Sequence, residues 1–419
     1  MFSSASNAAV DSPPWLARVR RSLHRGPWLF SPTVDLVAFL GSACLSLLLL
    51  VFGGWQGWLH SDSPEWTWVT CILAVDVAHV WSTAFRAYFE PVEWQRRPGL
   101  LLSVPAASAF LGWALYSQGS DLFWRCLAYL AVWHFLRQQQ GWIAWYRRKG
   151  NEPLGWELWL DRAAVYAAML YPLIHWHSHL PRNFSWFVAG DFAGLPAIVE
   201  RIAWPIYVLL LAAYVGKASR DWVRGEPKIG KDVVLFTTAV CWYLGIVTFN
   251  SDYAFSVTNV LIHGIPYLVL IVWYRVQLRD EHPHGTDALA SPRTANAQTA
   301  DRELSSRQGE PQEGGDLIVT DDDIDREVLK GASSRESIGA ARSWWRAVFL
   351  ILATVWLAAY LEELLWDRFV WHDRSWLFGE SVEGDMWAWL TPLLAVPQIT
   401  HYVLDGFLWR RRDLGHLKR

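Results

Sequence analysis

Charge is what this chain has least of. Of 419 residues only 18% are charged, against 53% hydrophobic, and apolar runs of about 20 residues recur along it. That pattern excludes a soluble protein of two or three domains. Cysteine is scarce too. The four, Cys44, Cys71, Cys126 and Cys241, all fall inside apolar segments, so no disulfide framework is expected and they read as small buried hydrophobes. A cleavable signal peptide is not expected: Arg18, Arg20, Arg21, His24 and Arg25 precede the first apolar run, but the intervening WLFSP is no h-region. No nucleotide-binding glycine loop stands out, so reducing power would come from an external electron donor. The triplet Asp321 to Asp323 lacks the glycine and distal glutamate of an EF-hand loop. Nothing points to a nucleic-acid partner, and no internal repeat or paired half-helix is visible.

What is present is membrane-spanning sequence. The expected fold is all-α, a polytopic membrane helix bundle of about ten spans near 33–54, 66–89, 100–117, 121–146, 158–178, 197–216, 231–249, 254–275, 343–366 and 386–409. Tryptophans at segment ends (Trp55, Trp58, Trp66, Trp145, Trp344, Trp345, Trp387) suit an interfacial belt. Alternate connections carry the cations: Arg96 and Arg97; Arg147, Arg148 and Lys149; Lys217, Arg220, Arg224, Lys228 and Lys231; and finally Arg410 to Arg412. The intervening connections hold almost none. By the positive-inside rule both termini are cytoplasmic, in a bacterial inner membrane, and even-numbered spans run inward.

Five stretches follow: a basic N-terminal segment, 1–32, in which Trp15 to Trp28 suits an interfacial helix; spans one to eight, 33–279; a linker, 280–341; spans nine and ten, 342–410; and a basic tail, 411–419. The linker, with 14 acidic against six basic residues between Asp280 and Ala341, is expected to be a long disordered cytoplasmic loop, with room for a short helix after Asp316.

Four even-numbered spans each carry a histidine in an otherwise apolar run. Asp76 stands three residues before His79; His134 precedes Arg137 and Gln138; Asn259 is one turn before His263; and His401 lies between Gln398 and Asp405. At 1.5 Å per residue, His79, His134 and His401 fall within about 5 Å of one level, with His263 up to about 10 Å further out. Imidazole binds iron, zinc or copper through one nitrogen while the other takes a partner that fixes the ring. Asp76, Gln138, Asn259 and Asp405 are placed to be partners or ligands, and helix bundles build metal sites from facing helices. The bland alternative is a set of hydrogen-bonded packing residues. Arg137, always charged, is expected to pair with Asp76, Asp405 or an acidic ligand, or to reach the inner interface; Arg86 is expected to snorkel. A rival set lies outside: His175, His177 and His179, with Glu362, Glu363 and His372 in nearby outer segments. Its HxxxH spacing lacks the HxxHH pairs of membrane desaturases.

The stretches DVAHVWST, HFLRQQQGW, NVLIHGIPY and PQITHYVLDGFLW resemble multi-pass bacterial membrane proteins described as carotene-cleaving-oxygenase-like; HGIP is not followed by the His or Asp of that family's GxPHGxxD-like element. The resemblance implies a histidine-dependent enzyme in the bilayer. The expected function is a metal-dependent oxidoreductase, with non-haem iron the first choice, acting on a lipid or isoprenoid-like substrate. His79, His134, His263, His401, Asp76 and Asp405 would serve the metal, and Arg137, Gln138 and Asn259 the substrate or ligands. The alternatives are b-type haem electron transfer, a proton- or ion-coupled transporter, and a non-catalytic assembly factor.

Overall fold

The computed structural model describes residues 26–281, 322–382, 384 and 389–409, with side chains omitted for 277–281 and 322–343. Among the described residues, seven helices are long and apolar enough to cross a membrane: α1 (Pro32–Gln56), α2 (Glu65–Arg86), α3 (Pro98–Tyr116), α6 (Ala197–Arg224), α7 (Ile229–Thr248), α8 (Asp252–Val276) and α9 (Trp344–Trp371). Two more, α4 (Ser120–Lys149) and α5 (Trp156–Ser178), have the length but carry polar stretches. The tenth expected span is in two pieces: a turn at Thr391–Leu394, a break at Ala395, then α10 (Val396–Leu408). Among the described residues there are no strands.

Contacts divide the chain into two units, Met1–Ile271 with Ala353–Arg419, and Val272–Leu352. The first holds everything discussed below. In the second, the described residues are helical up to Glu281 and again from Asp322. The helix from Asp322 occupies sequence expected to be linker. Expectations for 1–25, 282–321, Trp387 and the tail from Arg410 lie outside the described residues.

Burial separates core helices from peripheral ones. In α8, 78% of the apolar window is buried; in α6, only 11%. A helix that is apolar all round is central, whereas α6 turns Ile202, Leu209 and Val223 outward, as hydrocarbon requires. Two cysteines follow the same logic. Cys71 and Cys241 are buried as expected, but Cys44 and Cys126 are exposed on the bundle's apolar exterior.

The Lys/Arg-rich end, hereafter inner, is held by charge. Asp161 of α5, fully buried, accepts hydrogen bonds from Arg147 of α4, from Lys217 of α6 at 2.8 Å and from Lys231 of α7 at 2.9 Å. Glu152 accepts from Arg147 at 2.9 Å and Lys231 at 2.5 Å. Three cations therefore share two carboxylates. Arg86 does not snorkel: it is 2% exposed and ion-paired to Glu93 at 2.7 Å.

Close approach of α2 and α8 depends on Gly264. A Cβ there would lie 2.6 Å from Val75 Cγ1 and 3.2 Å from the Val75 carbonyl oxygen. Backbone as well as side chain would have to move. Gly264→Ala is expected to cost about 1–3 kcal/mol and to part His79 from His263. Thermal unfolding of the detergent-solubilised variant checks this; an unchanged midpoint rejects the tight fit.

Candidate metal centre

All four intramembrane histidines meet. His79 of α2, His134 of α4, His263 of α8 and His401 of α10 are 1%, 2%, 0% and 1% exposed. Ring centroids are 4.8 Å apart for His79–His263 and for His79–His401, 5.1 Å for His134–His263 and 4.5 Å for His134–His401. His263 Nε2 is 3.2 Å from His79 Nε2, and His401 Nε2 is 3.1 Å from His134 Nε2. The sequence placed His263 too far out because it assumed one starting level for every span. The α7–α8 connection is instead covered by the loop after α5, where Arg182 donates to Phe249 O at 2.8 Å and Asn183 N–H to Asn250 Oδ1 at 2.8 Å.

Widened helical turns flank two of the histidines. Trp68–Val77 and Ser256–Val260 are π-helical, just before His79 and His263. Such turns re-aim the residues after them and recur at functional sites.

The outer nitrogens are fixed by a relay whose direction can be read from its end. The Tyr267 hydroxyl donates to Asp405 Oδ1, so its oxygen is free to accept from Thr83, 2.9 Å away. That commits the Thr83 proton. His401 Nδ1, 2.6 Å from Thr83 Oγ1, must then be the donor, and Nε2 keeps a lone pair. Trp409 Nε1 also donates to Asp405, at 3.3 Å. Carboxylates stand behind two more rings: Asp405 Oδ2 is 4.0 Å from His134 Nδ1, and Asp76 Oδ1 is 3.5 Å from His79 Nδ1. The relay leaves the lone pair of His401 Nε2 facing His134 Nε2.

A 3.1–3.2 Å contact between imidazole nitrogens is closed either by one shared proton or by a cation that both lone pairs ligate. A tetrahedral ion with metal–nitrogen bonds of 2.0–2.1 Å needs edges of about 3.3 Å, close to both pairs. One ligand atom each of His79, His134 and His263 also fits within 4.8 Å, as does one each of His134, His401 and Asp405. The donor set suits iron, zinc or copper. A porphyrin does not fit well, because rings already in mutual contact leave no slot for the macrocycle.

No protein family, curated protein or solved structure matches the chain. The site must be read from its own geometry.

The remaining expected residues divide. Gln138 reaches His263, but through its backbone: Nε2 donates to His263 O at 2.8 Å. Asn259, fully buried, donates to Thr258 Oγ1 at 3.1 Å and leaves His263 Nδ1 without a partner. Gln398 donates to the Tyr402 hydroxyl at 2.8 Å. Arg137 is exposed and bonds the Tyr166 hydroxyl at 3.2 Å, pairing with neither Asp76 nor Asp405. The outer set also splits. His175 Nδ1 lies 2.7 Å and His179 Nδ1 3.5 Å from a Glu200 oxygen, whereas His177 turns inward to Leu173 O and Tyr129.

Sequence reasoning missed Thr83, Tyr267 and the rings packed on the imidazoles. Phe135 lies 3.5 Å from the His263 centroid at 8°, and Tyr402 stacks on His134 at 4.7 Å. A cue existed: Thr83 is four residues after His79, and Tyr267 four after His263.

Proposed function

We propose that the chain is a ten-span membrane protein whose four-histidine cluster is a transition-metal centre, and that it works as a non-haem iron oxidoreductase on a lipid or isoprenoid-like substrate. The observation that carries this reading is the convergence of four buried imidazoles, their Nε2 atoms paired at 3.1–3.2 Å and the His401 proton held on Nδ1. Placement in the inner membrane with both termini cytoplasmic rests on the charge asymmetry of the connections.

When bound, the metal would supply oxygen activation. The chain's own residues hold and tune the site. His79, His134, His263 and His401 are the ligands, with Asp76 and Asp405 behind them. Thr83 and Tyr267 keep the His401 proton on Nδ1. Gln138 ties down the His263 backbone, and the surrounding Phe135 and Tyr402 rings exclude water. Among the described residues Gln138 Oε1 and Asn259 Oδ1 are buried with no hydrogen-bond partner, which fits polar contacts to a substrate.

Elemental analysis of the purified protein is expected to show about one transition-metal ion per chain, with no Soret band, and oxygen uptake when a reductant and an isoprenoid are supplied in nanodiscs. A metal-free preparation that is fully folded removes the centre. A Soret band would favour haem electron transfer instead.

A further inference from the structure

A cavity of about 420 Å³ runs from the outer end down to the histidine layer. Its floor draws one residue from each histidine helix: Val80 beside His79, Phe135 beside His134, Val260 one turn before His263, and Gln398 one turn before His401. The cavity therefore ends on the ceiling of the cluster.

Its lining is strongly acidic. Glu65, Asp76, Asp252, Glu362, Glu363 and Asp373 face one cation, Arg374. Arg374 is already engaged at the mouth, stacked 4.0 Å over Trp68 and 3.4 Å from Glu65. Deeper in, two adjacent carboxylates are buried. Glu362 accepts from Trp81 at 2.6 Å and Trp366 at 3.3 Å. Glu363, 8% exposed, makes no hydrogen bond or ion pair among the described residues. Thr67, 1% exposed, also lines the cavity, and its hydroxyl has no partner among the described residues. Neighbouring carboxylates with no ion pair at contact distance among the described residues are costly away from water, and a low-dielectric cleft largely of one sign concentrates ions of the other.

We propose that this cavity is the inlet through which a divalent transition-metal ion reaches the four histidines from the outer end. The inference rests on the reading of the cluster as a metal centre. Glu363, Glu362 and Asp76 would serve as successive oxygen donors, after which imidazole nitrogens complete the transfer. Hard oxygen ligands suit a hydrated ion in transit, and nitrogen ligands hold it more firmly at the end.

The test is cobalt(II) uptake by metal-free protein in detergent, followed by the visible absorption of nitrogen-coordinated cobalt. The double variant Glu362→Gln/Glu363→Gln is expected to reach wild-type occupancy at least tenfold more slowly, with weaker dependence on salt. Uptake at the wild-type rate overturns the inlet, as does an equal loss of final occupancy, which would make the carboxylates ligands. Should the double variant fold poorly, Ser63→Cys at the mouth, labelled with a bulky maleimide, replaces it, with identically treated wild type as control. Labelled protein loading as fast as unlabelled also overturns the proposal. Wild-type protein that takes up no cobalt removes the histidine reading and the inlet together, whereas loading with an indifferent variant removes the inlet alone.

Discussion

His134→Ala and His401→Ala are each expected to lower metal affinity by more than 100-fold, so that protein purified beside the wild type carries almost none. Their Nε2 atoms meet at 3.1 Å, so either deletion opens the coordination set from one side. Tyr267→Phe removes no ligand but breaks the relay between Asp405 and Thr83. Loss of an outer partner of this kind costs about 10–100-fold in affinity. The graded order, histidines worst and Tyr267 intermediate, separates a metal centre from a packing cluster. A packing cluster would show lowered stability and no graded metal loss. Equal metal in wild type and both alanine variants ends the case.

The second large effect lies at the other end of the bundle. Asp161→Asn removes the carboxylate that Arg147, Lys217 and Lys231 share, leaving Glu152 in contact with Arg147 and Lys231 only, with Asp161 fully buried and both lysines nearly so. Removing one partner from a buried charge set costs about 3–5 kcal/mol, because the remaining charges keep their desolvation penalty. Chemical unfolding in mild detergent should show a loss of that size. A midpoint within experimental error of wild type would mean that water reaches this cluster.

Which parts of this were legible beforehand follows from the kind of force involved. Apolar length marks seven helices, because hydrocarbon imposes it locally. The four histidines were visible because an imidazole in an apolar run is expensive wherever it points. Their partners were harder. Asp76 and Asp405 share a turn with a histidine of their own helix, but Asp405 stands behind His134 of another, and the Thr83 link joins three helices. Cross-helix partners depend on helix rotation, which the π-helical turns before His79 and His263 alter. Arg137 misled too: one turn from His134 in sequence, it is exposed and bonds Tyr166 of α5 rather than either aspartate. Glu362 and Glu363 were grouped with the outer histidines by level alone, whereas they line the cavity and Glu200 is the acid at His175.

The relation between the polar helices and the lipid has a consequence for biogenesis. α4, which supplies His134 and Arg147, and α5, which supplies Asp161, are absent from the seven helices apolar enough to cross alone. α10, which supplies His401 and Asp405, has only 13 residues. Two of the four histidines thus ride on segments the bilayer would accept less readily singly than α2 and α8, so these must be retained by helices inserted around them, and truncations ending between α4 and α7 should be handed to quality-control proteases.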